Sequence, residues 1–196
     1  MSVVKLFVTC GAFVAIGTYL ETKVLKEAIP FLYKPSEVMP AFPCAFGLLL
    51  FLLTAFGFWM LNFGFQVGQA RTKYRAKAEK EGETDLDQYS LPNLYAYSST
   101  ENAKAFNAVQ RAHQHVLETI TPLYVTSVLT ATVYPLTTSL NVLLWMIGRI
   151  IWSTKYAEGG VSSRYSHFMS IWVWYGLMIQ FMLGALVSFN FLFGSF

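Results

Sequence analysis

The residue types best suited to chemistry are concentrated in one short stretch of a predicted helix. Residues 106–118, FNAVQRAHQHVLE, bring amides, a cation, imidazoles and a carboxylate into a helix otherwise suited to a membrane. At about 100° per residue, the polar side chains that share about a third of the helix circumference are Asn107, Gln110, Arg111, Gln114 and Glu118. Ionisable groups at membrane depth normally pair or face a wet cavity, because leaving them in lipid is costly. This polar stripe therefore predicts either an interhelical hydrogen-bond network or a cavity for a polar ligand.

Two arginines outside the polar stripe favour a ligand cavity over a hydrogen-bond network and indicate that the ligand is an anion. Arg149 lies in the next predicted helix, and Arg164 follows it near the same membrane face as Arg111. A guanidinium group matches a carboxylate through two parallel hydrogen bonds. Three arginines that converge on one membrane face therefore predict a site for a carboxylate.

The elements that must position these side chains are membrane helices. Hydrophobic residues make up 55% of the 196 residues and charged residues only 13%, about half the charge of an average soluble domain. No charged residue occurs in 38–70, 119–148 or 165–196, and each run exceeds the roughly 20 residues that cross a bilayer as a helix. A membrane barrel would instead show many short segments of alternating polarity. We therefore predict an all-α integral membrane protein, a four-helix bundle with an extra N-terminal hydrophobic helix.

Residues 1–40 are predicted to be an N-terminal extension. An apolar run, Leu6–Leu20, follows Lys5 as it would in a signal sequence, but Glu21-Thr22-Lys23 is a poor cleavage site. We therefore expect the run to be kept as an extra membrane helix. A proline-rich link joins it to the next helix.

Residues 41–196 are predicted to form the four-helix domain. Pro135 is expected to end the second helix, with the chain turning back at residues 137–139, and Glu158-Gly159-Gly160 to end the third. The charged stretch 71–104 is the main aqueous loop, and the positive-inside bias directs its basic end towards the cytosol or its equivalent. The predicted helices span about 42–77, 102–134, 137–157 and 163–193.

The composition argues against two classes of site. The net charge of +3 arises mostly from residues that flank the apolar runs, so nucleic-acid binding is not expected. Cys10 and Cys44 lie in apolar surroundings without the spacing of metal ligands, and no other grouping of histidines and carboxylates has such spacing. We therefore expect no metal.

At the polar stripe the sequence resembles the membrane-associated proteins in eicosanoid and glutathione metabolism, the MAPEG family, and most closely the type-three microsomal glutathione transferases. Those relatives carry Phe-Asn-x-x-Gln-Arg-Ala-His-Gln-Asn-x-x-Glu. Gly148-Arg149 and Tyr156 also match the family's third helix, and Ala70-Arg71 resembles the basic end of its first. The resemblance covers about residues 42–196. Within the polar stripe the matching positions are Phe106, Asn107, Gln110, Arg111, Ala112, His113, Gln114 and Glu118.

The resemblance implies a homotrimer of four-helix bundles that binds glutathione, as a co-substrate, between neighbouring protomers. Arg164 would be the catalytic residue that activates the thiol, because a guanidinium beside sulfur favours the thiolate. His115 and Trp152 stand where relatives usually place Asn and Tyr. The residues that would bind glutathione are Arg71, Asn107, Gln110, Arg111, His115, Glu118, Arg149, Trp152 and Tyr156.

Two functions are consistent with these features. The first is a glutathione-dependent transferase or peroxidase that acts on lipophilic electrophiles or lipid hydroperoxides from the bilayer. The second is a non-catalytic subunit of a larger membrane complex, in which the polar stripe survives as a packing network and neighbouring subunits hold the extension. The resemblance implies the endoplasmic reticulum or a mitochondrial membrane as the location.

Overall fold

The computed structural model describes residues 3–194, which form α-helices joined by short 3₁₀ turns and loops and contain no β-strand. The N-terminal helix, Val3–Leu20, continues through a π-helical turn, Glu21–Leu25, and a last α-helical turn, Lys26–Ala28. This content confirms the predicted all-α membrane fold with an extra N-terminal helix. The long helices are α1 (Val3–Leu20), α2 (Phe46–Lys80), α3 (Glu101–Ala131), α4 (Pro135–Ser163) and α5 (Trp172–Phe193).

Length and hydropathy identify the helices able to cross a bilayer. Within residues 3–194, the segments that qualify are Val3–Ala28, Phe46–Lys80, Pro135–Ser163 and Phe168–Phe193. The α3 helix is not among them, because its first half carries the polar stripe. Large apolar side chains of α1, such as Phe7, Val8 and Ile16, are exposed, as expected for a helix that faces lipid.

The helix ends differ from the sequence-based expectation at Pro135. The α3 helix ends at Ala131, and Pro135 is the first residue of α4 instead of the last residue before a turn. Proline is well suited to a first helical position, since its fixed φ is already helical and its missing N–H would have no intrahelical partner there. The chain therefore reverses at residues 132–134, before the proline.

The end of α4 and the start of α5 also lie later than expected. The helical run of α4 continues to Ser163, although Gly160 breaks it with a φ of 68°. Such a positive φ is accessible to glycine at little cost. Gly160, which was predicted to end the helix, therefore interrupts it about one turn before the helical run stops. A 3₁₀ turn, Phe168–Ile171, then leads into α5.

The chain forms two compact units. The first comprises Met1–Phe56, Ile120–Ile147 and Trp172–Phe196, and the second comprises Gly57–Thr119 and Gly148–Ile171. In the first unit, α1 packs on α5 through an apolar cluster that contains Cys10, Val14 and Leu183.

A polar contact anchors the end of α1 in the first unit. Glu21 is completely buried, and its carboxylate accepts hydrogen bonds from the backbone N–H groups of Leu136 and Thr137, both at 2.8 Å. The Tyr33 hydroxyl donates to the same carboxylate at 3.2 Å. Because the first N–H groups of a helix have no intrahelical acceptor and carry partial positive charge, Glu21 caps α4 from a distant part of the chain.

Buried amides cross-link the apolar interior of the first unit. Asn141 donates its side-chain N–H to the Gly176 carbonyl and to Gln180 Oε1, both at 3.0 Å. Gln180 in turn donates to the Thr130 hydroxyl at 2.6 Å. With no water in a hydrocarbon core, such pairing between helices satisfies polar groups that lipid cannot.

Candidate functional site

Every residue predicted to bind glutathione or to act in catalysis lies in the second unit, within residues 57–119 or 148–171. The second half of α2, the first half of α3 and the second half of α4 supply these residues, together with the loops after α2 and α4. The polar stripe and the other predicted site residues therefore belong to one compact unit. Apart from Arg164, the predicted side chains are described in three groups with different contacts.

The first group is an ion pair on the polar stripe. The guanidinium of Arg111 binds the carboxylate of Glu118 with two hydrogen bonds, one of them 3.2 Å from Nη2 to Oε2. The residues are seven positions apart, which is about two helical turns, so they lie on the same side of α3. The side chains remain 39% and 51% exposed. An ion pair this exposed contributes little to stability and can exchange partners at small cost.

The second group surrounds Arg149, which is completely buried. Its guanidinium donates to His115 Nδ1 at 2.8 Å and to the Thr119 hydroxyl at 2.9 Å. Since arginine can only donate, His115 Nδ1 accepts and the imidazole is neutral, with its proton on Nε2. Arg149 thus joins α4 to α3 within the second unit.

Aromatic rings extend the Arg149 group along α4. The guanidinium lies 5.2 Å from the Trp152 ring centroid, and the His115 ring lies 4.5 Å from the same indole. Trp152 stacks on Tyr156 with 5.0 Å between ring centroids. His115 and Trp152, the two departures from the family pattern, therefore contact each other.

Buried polar atoms in this region are left without partners among the described residues. They include Gln110 Oε1 on α3 and, on α4, Trp152 Nε1 and the Ser153 hydroxyl. Most buried polar groups in proteins are paired, so an orphaned acceptor and two orphaned donors within one unit are unusual.

The third group, Arg71 and Asn107, contacts the loop between α2 and α3. Arg71 Nη1 donates to the carbonyls of Tyr89 at 3.0 Å and Asn93 at 2.9 Å, and the guanidinium lies 4.7 Å from the Phe106 ring centroid. Asn107 donates to the Ala96 carbonyl at 2.7 Å and accepts from the Ala96 N–H at 2.8 Å. Both side chains therefore bind the backbone of the loop.

The remaining predicted residue, Arg164, lies in the loop after α4. Its guanidinium carbon is 5.3 Å from the ring centroid of its neighbour Tyr165. Its Nε is buried and has no hydrogen-bond partner among residues 3–194. The structure thus places Arg164 in the same unit as the polar stripe.

Two contributors were not selected from the sequence. Thr119 binds Arg149, and its position four residues after His115 would have indicated a shared helix face. Tyr95, in the loop, donates a hydrogen bond to Gln114 on the polar stripe. No spacing signal in the sequence identifies this contact.

A separate cavity of about 480 Å³ lies on the second unit. Trp59 and Phe63 line one part of it, and Lys73, Tyr74 and Glu158 line another. It shares no lining residue with the predicted glutathione set. Among the described residues, no group of three histidine, cysteine or acidic side chains could hold a metal ion.

The model of the MAPEG family matches residues 49–185, which include all predicted site residues and exclude α1. A search of solved structures found no match.

Proposed function

Because this chain belongs to the MAPEG family of integral membrane proteins, we propose that it is a membrane-bound, glutathione-dependent transferase or peroxidase that acts on lipophilic electrophiles or lipid hydroperoxides. The observation that carries this proposal is that the Arg111–Glu118 ion pair and the Arg149 group both lie in one compact unit. The proposed enzyme is a homotrimer in the endoplasmic reticulum or a mitochondrial membrane.

The chemistry of glutathione suits the charges of these groups. Glutathione carries two carboxylates, one ammonium and one thiol, so it needs both cationic and anionic partners. The exposed pair can open to give Arg111 to a carboxylate and Glu118 to the ammonium, two charge-assisted contacts replacing one. The peptide groups of glutathione need further donors and acceptors, and Gln110, Trp152 and Ser153 each have a polar atom without a partner among the described residues.

Arg164 is proposed to stabilise the thiolate. A free thiol with a pKa near 8.5 is only a few per cent ionised at neutral pH, and a neighbouring cation lowers that pKa. The Nε of Arg164 is buried without a partner among the described residues, so this N–H is not committed to another described group. Depressing the thiol pKa by about one unit requires only about 1.4 kcal/mol of selective stabilisation.

The two reactions share the thiolate as nucleophile. In the transferase reaction, sulfur forms a bond to an electrophilic carbon, and the leaving group departs with its electron pair. In the peroxidase reaction, sulfur attacks one peroxide oxygen, the O–O bond breaks, and the alkoxide takes a proton. A second glutathione then reduces the resulting sulfenic acid, which yields the disulfide and water.

The test is glutathione binding by isothermal titration calorimetry on detergent-purified protein, with its oligomeric state measured on the same sample. We expect binding to a trimer in the micromolar to low-millimolar range. Replacing Arg111 by Ala should weaken binding by about tenfold or more, since a hydrogen bond to a charged group contributes roughly 1.5–3 kcal/mol. Arg75→Ala, at an exposed position on α2, is the matched control and should leave binding unchanged.

Turnover separates binding from catalysis. Arg164→Ala should abolish glutathione-dependent turnover of a model electrophile or hydroperoxide, while the trimer and glutathione binding persist. Unchanged activity in this variant would remove Arg164 from the catalytic role. A wild-type chain that binds no glutathione and purifies only within a larger complex would refute the enzyme and favour a non-catalytic subunit.

A further inference from the structure

The loop between α2 and α3 is folded on itself by buried polar contacts. Gln88 is only 2% exposed, donates to the Asp85 carbonyl at 2.8 Å, and accepts from the Ser98 N–H at 2.9 Å. Tyr89 is completely buried and donates to Glu83 at 3.1 Å. Burial raises the pKa of the Tyr89 hydroxyl, so it stays protonated as a donor. These contacts give the loop a defined structure.

The loop is also held to the helices on both sides of one short segment. Arg71 on α2 binds the Asn93 carbonyl, and Asn107 on α3 binds both backbone groups of Ala96. An amide that pairs with the N–H and C=O of one residue fixes the orientation of that peptide as well as its position. Residues 93–96 are therefore fastened at each end.

Tyr95 lies between these two attachments and reaches the polar stripe. Its hydroxyl donates to Gln114 Oε1, three residues after Arg111 on the polar stripe. The residue remains 38% exposed. Tyr97, two residues later, is 71% exposed. Of these two tyrosines, Tyr95 contacts the polar stripe that carries the Arg111–Glu118 ion pair.

We propose that residues 93–96 form a fixed wall of the glutathione site and that Tyr95 is a further ligand-binding residue there. This inference rests on the proposed function. A carboxylate held by Arg111 takes a hydrogen bond from the Tyr95 hydroxyl, which turns from Gln114 to the ligand. Arg71 and Asn107 are positioning residues that hold this wall, and they act on glutathione through Tyr95.

The first test compares Tyr95→Phe with Tyr97→Phe. Each removes one hydroxyl and keeps the ring, so the fold and the trimer should be unchanged. Loss of one hydrogen bond to a carboxylate should raise the Kd and KM for glutathione about ten- to a hundredfold, with kcat within about twofold of wild type. Tyr97→Phe should leave all three values unchanged.

The second test asks whether Asn107 acts through Tyr95. In Asn107→Ala, amide hydrogen exchange of residues 93–97 should become faster without any ligand, and the Kd for glutathione should rise. Adding Tyr95→Phe to this variant should cause little further loss, because the phenol is already displaced. Two independent roles would instead give additive losses.

The outcomes separate this inference from the proposed function. A wild-type protein that binds glutathione while Tyr95→Phe binds equally well overturns the role of Tyr95 and leaves the enzyme proposal intact. A wild-type protein that binds no glutathione overturns both. A kcat loss in Tyr95→Phe with an unchanged Kd also contradicts a binding role.

Discussion

Replacing Glu21 by Ala should destabilise the protein strongly, although Glu21 lies outside the region matched by the family. Its buried carboxylate caps α4 through the N–H groups of Leu136 and Thr137. Alanine leaves these two N–H donors without an acceptor at a site that is buried in the protein. The perturbation therefore acts on the attachment of the N-terminal helix and on the start of α4 together.

The expected magnitude follows from the contacts. Each buried donor left unsatisfied costs about 1–3 kcal/mol, and loss of a helix cap typically costs about 1 kcal/mol. Relief of the desolvated carboxylate offsets part of this cost, so we expect a net loss of about 2–4 kcal/mol. For a chain of this length, that corresponds to a fall in Tm of roughly 4–16 °C. Glu21→Gln keeps one carbonyl oxygen as an acceptor and should lose about half as much.

The assay is thermal unfolding in one detergent, followed by intrinsic fluorescence and by the loss of helical circular dichroism. Glu27→Ala is the matched control, because Glu27 is an exposed carboxylate in the turn that follows. Its Tm should stay within about 1 °C of wild type. The reasoning is refuted if Glu21→Ala unfolds within about 2 °C of wild type, or if Glu27→Ala loses as much.

Three further substitutions test packing and the buried cation. Gly176→Ala would place a methyl group 2.7 Å from Trp145 Cβ and should cost about 1–3 kcal/mol by overpacking. Gly184→Ala, whose nearest atom would be 3.9 Å away, should be neutral or slightly stabilising in the same unfolding assay. Arg149→Lys keeps the charge but cannot hold both His115 and Thr119 in the same geometry, so it should cost about 1–3 kcal/mol. A Tm equal to that of wild type would contradict the role assigned to Arg149.

Several features could be predicted because they depend on local pattern alone. Long runs without charge are sufficient to predict membrane helices, since the bilayer sets both the length and the composition of a span. The spacing of Arg111 and Glu118 predicts that they share a helix face, and the structure pairs them. The same distribution of charged and apolar residues predicts the polar loop and the extra N-terminal helix. The helix boundary at Pro135 did not, because proline both stops one helix and starts another.

The amino-acid sequence by itself thus determined the fold class, the family resemblance and the helix face that Arg111 and Glu118 share. Only the tertiary structure decided which partner each side chain has. It directs Asn107 and Arg71 to the loop, brings Arg149 to His115, and joins Glu21 to residues more than a hundred positions away. The physical reason is that helical periodicity specifies a direction around one helix, whereas a hydrogen bond requires two groups within about 3 Å. That proximity depends on how the helices pack.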